Sequence, residues 1–145
     1  MATRRAEATW EGSLAEGQGR AELESGVAGS LDVNWKARTE GGVQTSPEEL
    51  LAAAHAACFS MALSHTLSEG GNEPRKLSVA AAVSFDAVEG GFAVTTSRLK
   101  VRGDVPGIDA DAFQEAARGA AEGCPISGAL SGNVDIVLES VELAE

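Results

Sequence analysis

The chain has 145 residues, with 11 Lys and Arg against 22 Asp and Glu, giving a net charge of −11; it is long enough for one hydrophobic core and too short for two independent ones, so a single domain over residues 1–145 is expected. The acidic balance argues against nucleic acid and against an anionic membrane surface as partners. The longest apolar run is interrupted by His55, Ser60 and Ser64 and reads as too short to cross a bilayer; residues 1–20 lack the apolar core of a signal peptide, which makes the cytoplasm the default location.

Residues 4–12, RRAEATWEG, alternate in polarity as a half-buried strand does. Further strands are expected over Gly19–Glu24 and Leu31–Arg38, the latter with Leu31, Val33 and Trp35 on one face. Arg38 then sits at a strand end, just before the Gly41-Gly42 loop. Ser46-Pro47 with Glu49 three residues after the serine marks a helix start by hydroxyl cap, N1 proline and capping-box carboxylate. The helix should run to Glu69, place Leu51, Ala54, Cys58, Met61 and His65 on one face, and stop at Gly70-Gly71. Runs Lys76–Val88 and Gly91–Arg102 meet across Glu89-Gly90-Gly91 as an antiparallel hairpin. Asp109 caps a second helix ending at Gly123, Cys124-Pro125 begins a short helical turn, and a last strand spans Val134–Leu143. Hairpins without regular βαβ alternation predict an α+β fold, a mainly antiparallel sheet on two principal helices.

Two cysteines could form one structural disulfide, but without an export signal a reactive or metal-linked role is favoured. Taken alone, a cysteine on an alanine-rich helical face is more often a small hydrophobe than a nucleophile. Three features weigh the other way. Cys124 lies at a helix start, where free amides and the helix dipole favour a thiolate. Arg38 is a permanent cation able to hold a thiolate or polarise an oxygen. Glu49 serves the cap, which leaves Glu48 free to orient Arg38. Ten residues of helix, about 15 Å of rise, separate Glu48 from Cys58. The arginine must therefore span part of that gap, the helix must distort, or a second subunit must contribute. A metal site built on Cys58 with His55 or His65 lacks compact ligand spacing, and a Cys-His-Asp hydrolase is disfavoured because His55 is more simply a packing or polar contact. Ser60, Ser64 and Ser68 read as back-bonded or as a polar stripe.

The motifs PEELLAAAHAACFSMAL and, about 65 positions on, GCPIS closely resemble the OsmC branch of the OsmC/Ohr proteins. TWEG, ESGV, the R-x-E-G around Arg38, SFD and GF in the hairpin, and VPGID extend the resemblance over nearly the whole chain. Ser46 stands where the family often has asparagine, and both residues cap helices. The resemblance implies a thiol peroxidase reducing organic hydroperoxides, and often hydrogen peroxide. Cys58 matches its peroxidatic cysteine, Cys124 the resolving one, and Arg38 with Glu48 its activating arginine and carboxylate. In the Ohr branch the arginine comes from an earlier loop. It also implies an intertwined homodimer with active sites at the subunit interface, no bound cofactor, and an external dithiol reductant, lipoyl-type or thioredoxin. Phe59, Met61, Trp35 and Phe113 are candidates either for an alkyl-hydroperoxide pocket or for core packing. The competing expectation is a non-enzymatic domain of the same fold that binds a small molecule or acyl chain.

Overall fold

The computed structural model describes residues 2–145, which divide into two compact units, Met1–Leu50 and Leu51–Glu145. The fold is α+β with mainly antiparallel pairing, as the sequence predicts, but its strands form two three-stranded sheets.

In the first unit β1 (Ala6–Glu11), β2 (Gln18–Leu23) and β3 (Ser30–Val33) pair antiparallel in chain order. Trp10 faces Gly19 across the β1–β2 ladder, and a Cβ on Gly19 would stand 2.5 Å from the indole ring, so the glycine makes room for the tryptophan. The third strand is shorter than predicted. It ends at Val33 because the Asn34 side chain accepts from the Ala37 amide (2.8 Å) and caps a short helix, α1 (Trp35–Thr39). Arg38 therefore lies in the last turn of a helix, not at a strand end. A parallel bridge between Val33 and Thr45 and the Thr45 amide on the Asp32 carbonyl (2.9 Å) tie the following loop back to β3. That loop delivers Ser46 and the first turn of α2 (Pro47–Glu69). The Ser46 hydroxyl caps the Glu49 amide (3.1 Å), while the Glu49 carboxylate accepts from the Thr45 hydroxyl (2.5 Å). Among the described residues of this unit only Gly19, Ser46 and Glu48 are buried.

In the second unit the rest of α2 ends as predicted at Gly70-Gly71. Asn72 N–H reaches the Leu67 carbonyl and Gly71 N–H the Ser68 carbonyl, a Schellman pattern that places Gly71 at φ 86°. The phase of α2 differs from the expected one. His55, Phe59, Leu63 and Leu67 are buried, whereas Ala54, Met61 and His65 are exposed. Alanines surround this helix on all sides, so the larger side chains rather than the apolar period select the inward face. At 23 residues α2 is also long and apolar enough to cross a membrane, contrary to the sequence estimate; here Phe59, Leu63 and Leu67 are spent on the core.

The sheet of this unit orders β4 (Lys76–Val88), β5 (Gly91–Asp104) and β6 (Asp135–Leu143). β4 and β5 form the expected antiparallel hairpin. β5 and β6 run parallel, a pairing the sequence reading did not anticipate. Parallel neighbours need a long crossover, and α3 (Ala110–Gly123) with α4 (Pro125–Leu130) supplies it. Ser97, Leu99, Val101 and Gly103 alternate inward along β5, and Leu99 and Val101 join Phe59, Leu63, Phe113, Ala117 and Ala120 in the core. Gly103 lets Phe113 close on the sheet, since a Cβ there would lie 2.5 Å from the ring.

Gly103→Ala should therefore cost about 1–3 kcal/mol by overpacking. Gly119→Ala, in mid-α3 with open space around its Cβ position, should stabilise by about 0.5–1 kcal/mol. Urea denaturation midpoints moving in opposite directions would verify the packing; equal shifts would contradict it.

Candidate active site

Cys124 sits at the junction of two helices. Its amide donates to the Ala120 carbonyl (2.8 Å), closing α3, and its carbonyl accepts from the Gly128 amide (2.9 Å), opening α4. Pro125 enforces this break, because a residue before proline is driven out of the helical region; Cys124 has φ −66° and ψ 121°. The thiol is almost wholly buried, 1% exposed.

Cys58, half-buried on α2, packs against the core cluster that contains Cys124, and the two free thiols are near enough to shift each other's ionisation. Burial pushes the Cys58 thiol up; the Ile126 amide opposes this, and the neighbouring Cys124 sulfur adds to it. Burial opposes ionisation of Cys124 as well, yet its thiol is lowered overall. The Ser127 amide, the Cys58 thiol, the Ser127 hydroxyl and the Ile126 amide together outweigh desolvation, although the thiol makes no N-cap hydrogen bond in this rotamer. Within residues 51–145, then, negative charge is favoured on Cys124. The sequence expectation of a lowered Cys58 is not met by the groups of this unit.

His55, one helical turn before Cys58, is fully buried between two serine hydroxyls: Nδ1 lies 2.7 Å from Ser97 Oγ and Nε2 2.8 Å from Ser127 Oγ. It is a polar contact, as the sequence suggested, and burial lowers its pKa. Neither serine was singled out from the sequence. The available signals were the alternation of β5, which turns Ser97 inward, and the position of Ser127 three residues after Cys124. Phe59 and Phe113 are core residues, and Met61 stands 73% exposed.

In the first unit Arg38 and Glu48 meet, as the sequence proposed. Arg38 Nη2 donates to Glu48 Oε1 at 2.6 Å and Nε to the same oxygen at 3.2 Å, and the guanidinium lies 5.8 Å from the Trp35 ring centroid. Glu48, 6% exposed in the first turn of α2, is also favoured by the helix dipole. The charge-assisted contact holds the guanidinium in one orientation. The four expected site residues thus form two pairs, Cys58 with Cys124 and Arg38 with Glu48, each inside its own unit.

Residues 39–139 match the family described as OsmC-like protein. The chain is 44% identical, over 133 residues, to peroxiredoxin OsmC of Escherichia coli (strain K12), covering 92% of this chain and 93% of that protein. Among solved structures, organic hydroperoxide resistance protein OhrB of Bacillus subtilis is similar with a TM-score of 0.73 at 34% identity, covering 97% of this chain and 98% of that one. An organic hydroperoxide resistance protein OsmC of Legionella pneumophila is similar with a TM-score of 0.70 at 27% identity over the full length of both chains.

Neutral His55 in the fold gives a signed pH effect. Its folded pKa lies below the ordinary 6.5, so the unfolded chain binds the extra proton first. Stability from this group is complete above about pH 6.5 and declines as pH falls towards the folded value. Denaturation of wild type and His55→Gln from pH 8 to pH 5 should show a steeper loss in wild type; identical slopes would mean that the ring titrates normally.

Proposed function

The chain belongs to the OsmC family, and on that premise we propose a cysteine-based peroxidase that reduces organic hydroperoxides, with hydrogen peroxide as a further substrate, in oxidative and osmotic stress defence. The observation that carries the reading is the proximity of two free thiols of unequal exposure, Cys58 half-buried and packed against the core that holds buried Cys124. A merely structural pair of buried thiols has no use for an accessible member beside a sulfur surrounded by donors. The names of the relatives, peroxiredoxin and organic hydroperoxide resistance protein, support the same chemistry.

The reaction divides into two steps. The Cys58 thiolate attacks the distal oxygen of ROOH; the O–O bond breaks, the alkoxide takes a proton and leaves as ROH, and Cys58 becomes a sulfenic acid. Cys124 then attacks that sulfur, the S–O bond breaks, and hydroxide takes a proton and leaves as water, giving the Cys58–Cys124 disulfide. Arg38, oriented by Glu48, is proposed as the cation that brings the shared negative charge onto Cys58 for the first step. No resident cofactor is required. An external dithiol, lipoyl-type or thioredoxin, would reopen the disulfide by exchange.

We further propose an intertwined homodimer with the active sites at the subunit interface, working in the cytoplasm. Its support is the first unit's shortage of buried residues together with exposed Trp10, Leu14, Val27 and Val43. Light scattering should return twice the 14.8 kDa chain mass; a monomer would contradict this arrangement.

With cumene hydroperoxide and dihydrolipoamide, Cys58→Ser should abolish turnover. Cys124→Ser should form a sulfenic acid that dimedone traps on Cys58. Arg38→Ala should slow peroxide consumption about tenfold or more, the scale of one charge-assisted hydrogen bond, and Arg38→Lys should recover part of it. Peroxide consumption no faster than the protein-free background in wild type as in Cys58→Ser would favour the non-enzymatic binding domain.

A further inference from the structure

The peroxidase chemistry leaves one buried group without a task. His55 is fully buried, and both ring nitrogens are engaged by serine hydroxyls that are themselves buried, Ser97 at 0% and Ser127 at 2% exposure. A neutral imidazole has one N–H and one bare nitrogen, and each hydroxyl has one proton to give. The three groups therefore have two possible directions. If Nδ1 carries the proton, Nε2 takes the Ser127 proton, and the hydroxyl has nothing left to offer on its other side. If Nε2 carries it, Ser97 donates to Nδ1, Nε2–H donates to Ser127 Oγ, and the Ser127 O–H is released to point elsewhere.

Cys124 is the N-cap of α4 and Ser127 its N3 residue, one helical turn on, where an N-cap side chain lies close to N2 and N3; this rotamer makes no cap hydrogen bond, and the Ser127 hydroxyl is among the groups that act on the Cys124 thiol. Burial of the whole cluster keeps water from competing for these hydrogen bonds.

We propose that Ser97, His55 and Ser127 form a one-way hydrogen-bond chain whose last donor, the Ser127 hydroxyl, holds Cys124 as the thiolate that attacks the Cys58 sulfenic acid. His55 and Ser97 are positioning residues acting through Ser127. The chain stays neutral and moves no proton: His55 is kept uncharged by burial, and the hydroxide displaced from Cys58 takes its proton from solvent. The device fits the second chemical step alone, since the first uses the sulfur of Cys58. The lowered thiol of Cys124, with the Ser127 hydroxyl among its causes, agrees with this direction.

The role assigned to Cys124 rests on the peroxidase reading, so the test separates the two. The tautomer of His55 in the full-length wild type is read from its ring 15N shifts, with His65→Asn identifying the signal of the other histidine. Protonated Nε2 with bare Nδ1 is expected, and the opposite tautomer overturns the proposal without any site variant having to fold. In Cys58→Ser protein, where Cys124 is the sole thiol, thiolate absorbance should appear at higher pH after Ser127→Ala or His55→Leu. It should return towards the starting pH in Ser127→Thr, which keeps the hydroxyl. An unchanged titration in folded Ser127→Ala overturns the proposal. With Cys58 present, rapid mixing with cumene hydroperoxide should show sulfenate forming at the wild-type rate in Ser127→Ala and the disulfide forming about tenfold more slowly. Sulfenate with an unslowed disulfide would sink the chain alone. Absence of both sulfenate and disulfide from wild type after peroxide would sink the peroxidase reading, leaving tautomer and titration to decide on the hydrogen-bond chain.

Discussion

Pro125 cannot donate a hydrogen bond to α3 and forces Cys124 out of helical geometry, and the site depends on that single break. The interruption turns one helical path into two. Cys124 closes α3 with its amide and opens α4 with its carbonyl, and the Ile126 and Ser127 amides and the Ser127 hydroxyl favour the charged form of its thiol. A continuous helix would have offered the same sulfur no free donors. The crossover that contains this break also lets β6 run parallel beside β5, so the topology of the sheet and the placement of the thiol have one origin.

The core of residues 51–145 fixes the partners of that sulfur. Phe59, Leu63 and Leu67 lock the rotation of α2, which fixes the direction of Cys58 and His55 on the same helix. β5 contributes both apolar packing through Leu99 and Val101 and the polar terminus of the hydrogen-bond chain at Ser97. Among the described residues no buried side-chain nitrogen or oxygen is left without a partner. A buried polar cluster of this kind is stable because it is complete, and removing one member would leave the others desolvated and unpaired.

Much of this was legible in the sequence where local rules act strongly. The Ser46-Pro47 start of α2, its Gly70-Gly71 stop, the β4–β5 hairpin and the Asp109 cap follow from hydrogen bonding over a few residues, and they appear as expected. Arg38 with Glu48 was inferred from the spare carboxylate beside a capping box, and Cys124 from its proline. The misses are equally physical. Asn34 can end a strand or continue a polar alternation, and only its bond to the Ala37 amide decides for a helix. The phase of α2 differs from the sequence expectation because alanines carry little information about which side faces inward. The serines flanking His55 reach it across 42 and 72 residues, and the parallel β5–β6 pair is likewise long-range, which no local pattern encodes.

The central claim is that Cys58 and Cys124 are a redox pair that a hydroperoxide oxidises together. Counting free thiols and measuring intact mass before and after one equivalent of cumene hydroperoxide, in wild type and in Cys58→Ser, tests it most directly. The account predicts that wild type alone loses both thiols and the mass of two hydrogen atoms, and that dihydrolipoamide restores both. Survival of both thiols in wild type, at unchanged mass, would contradict it.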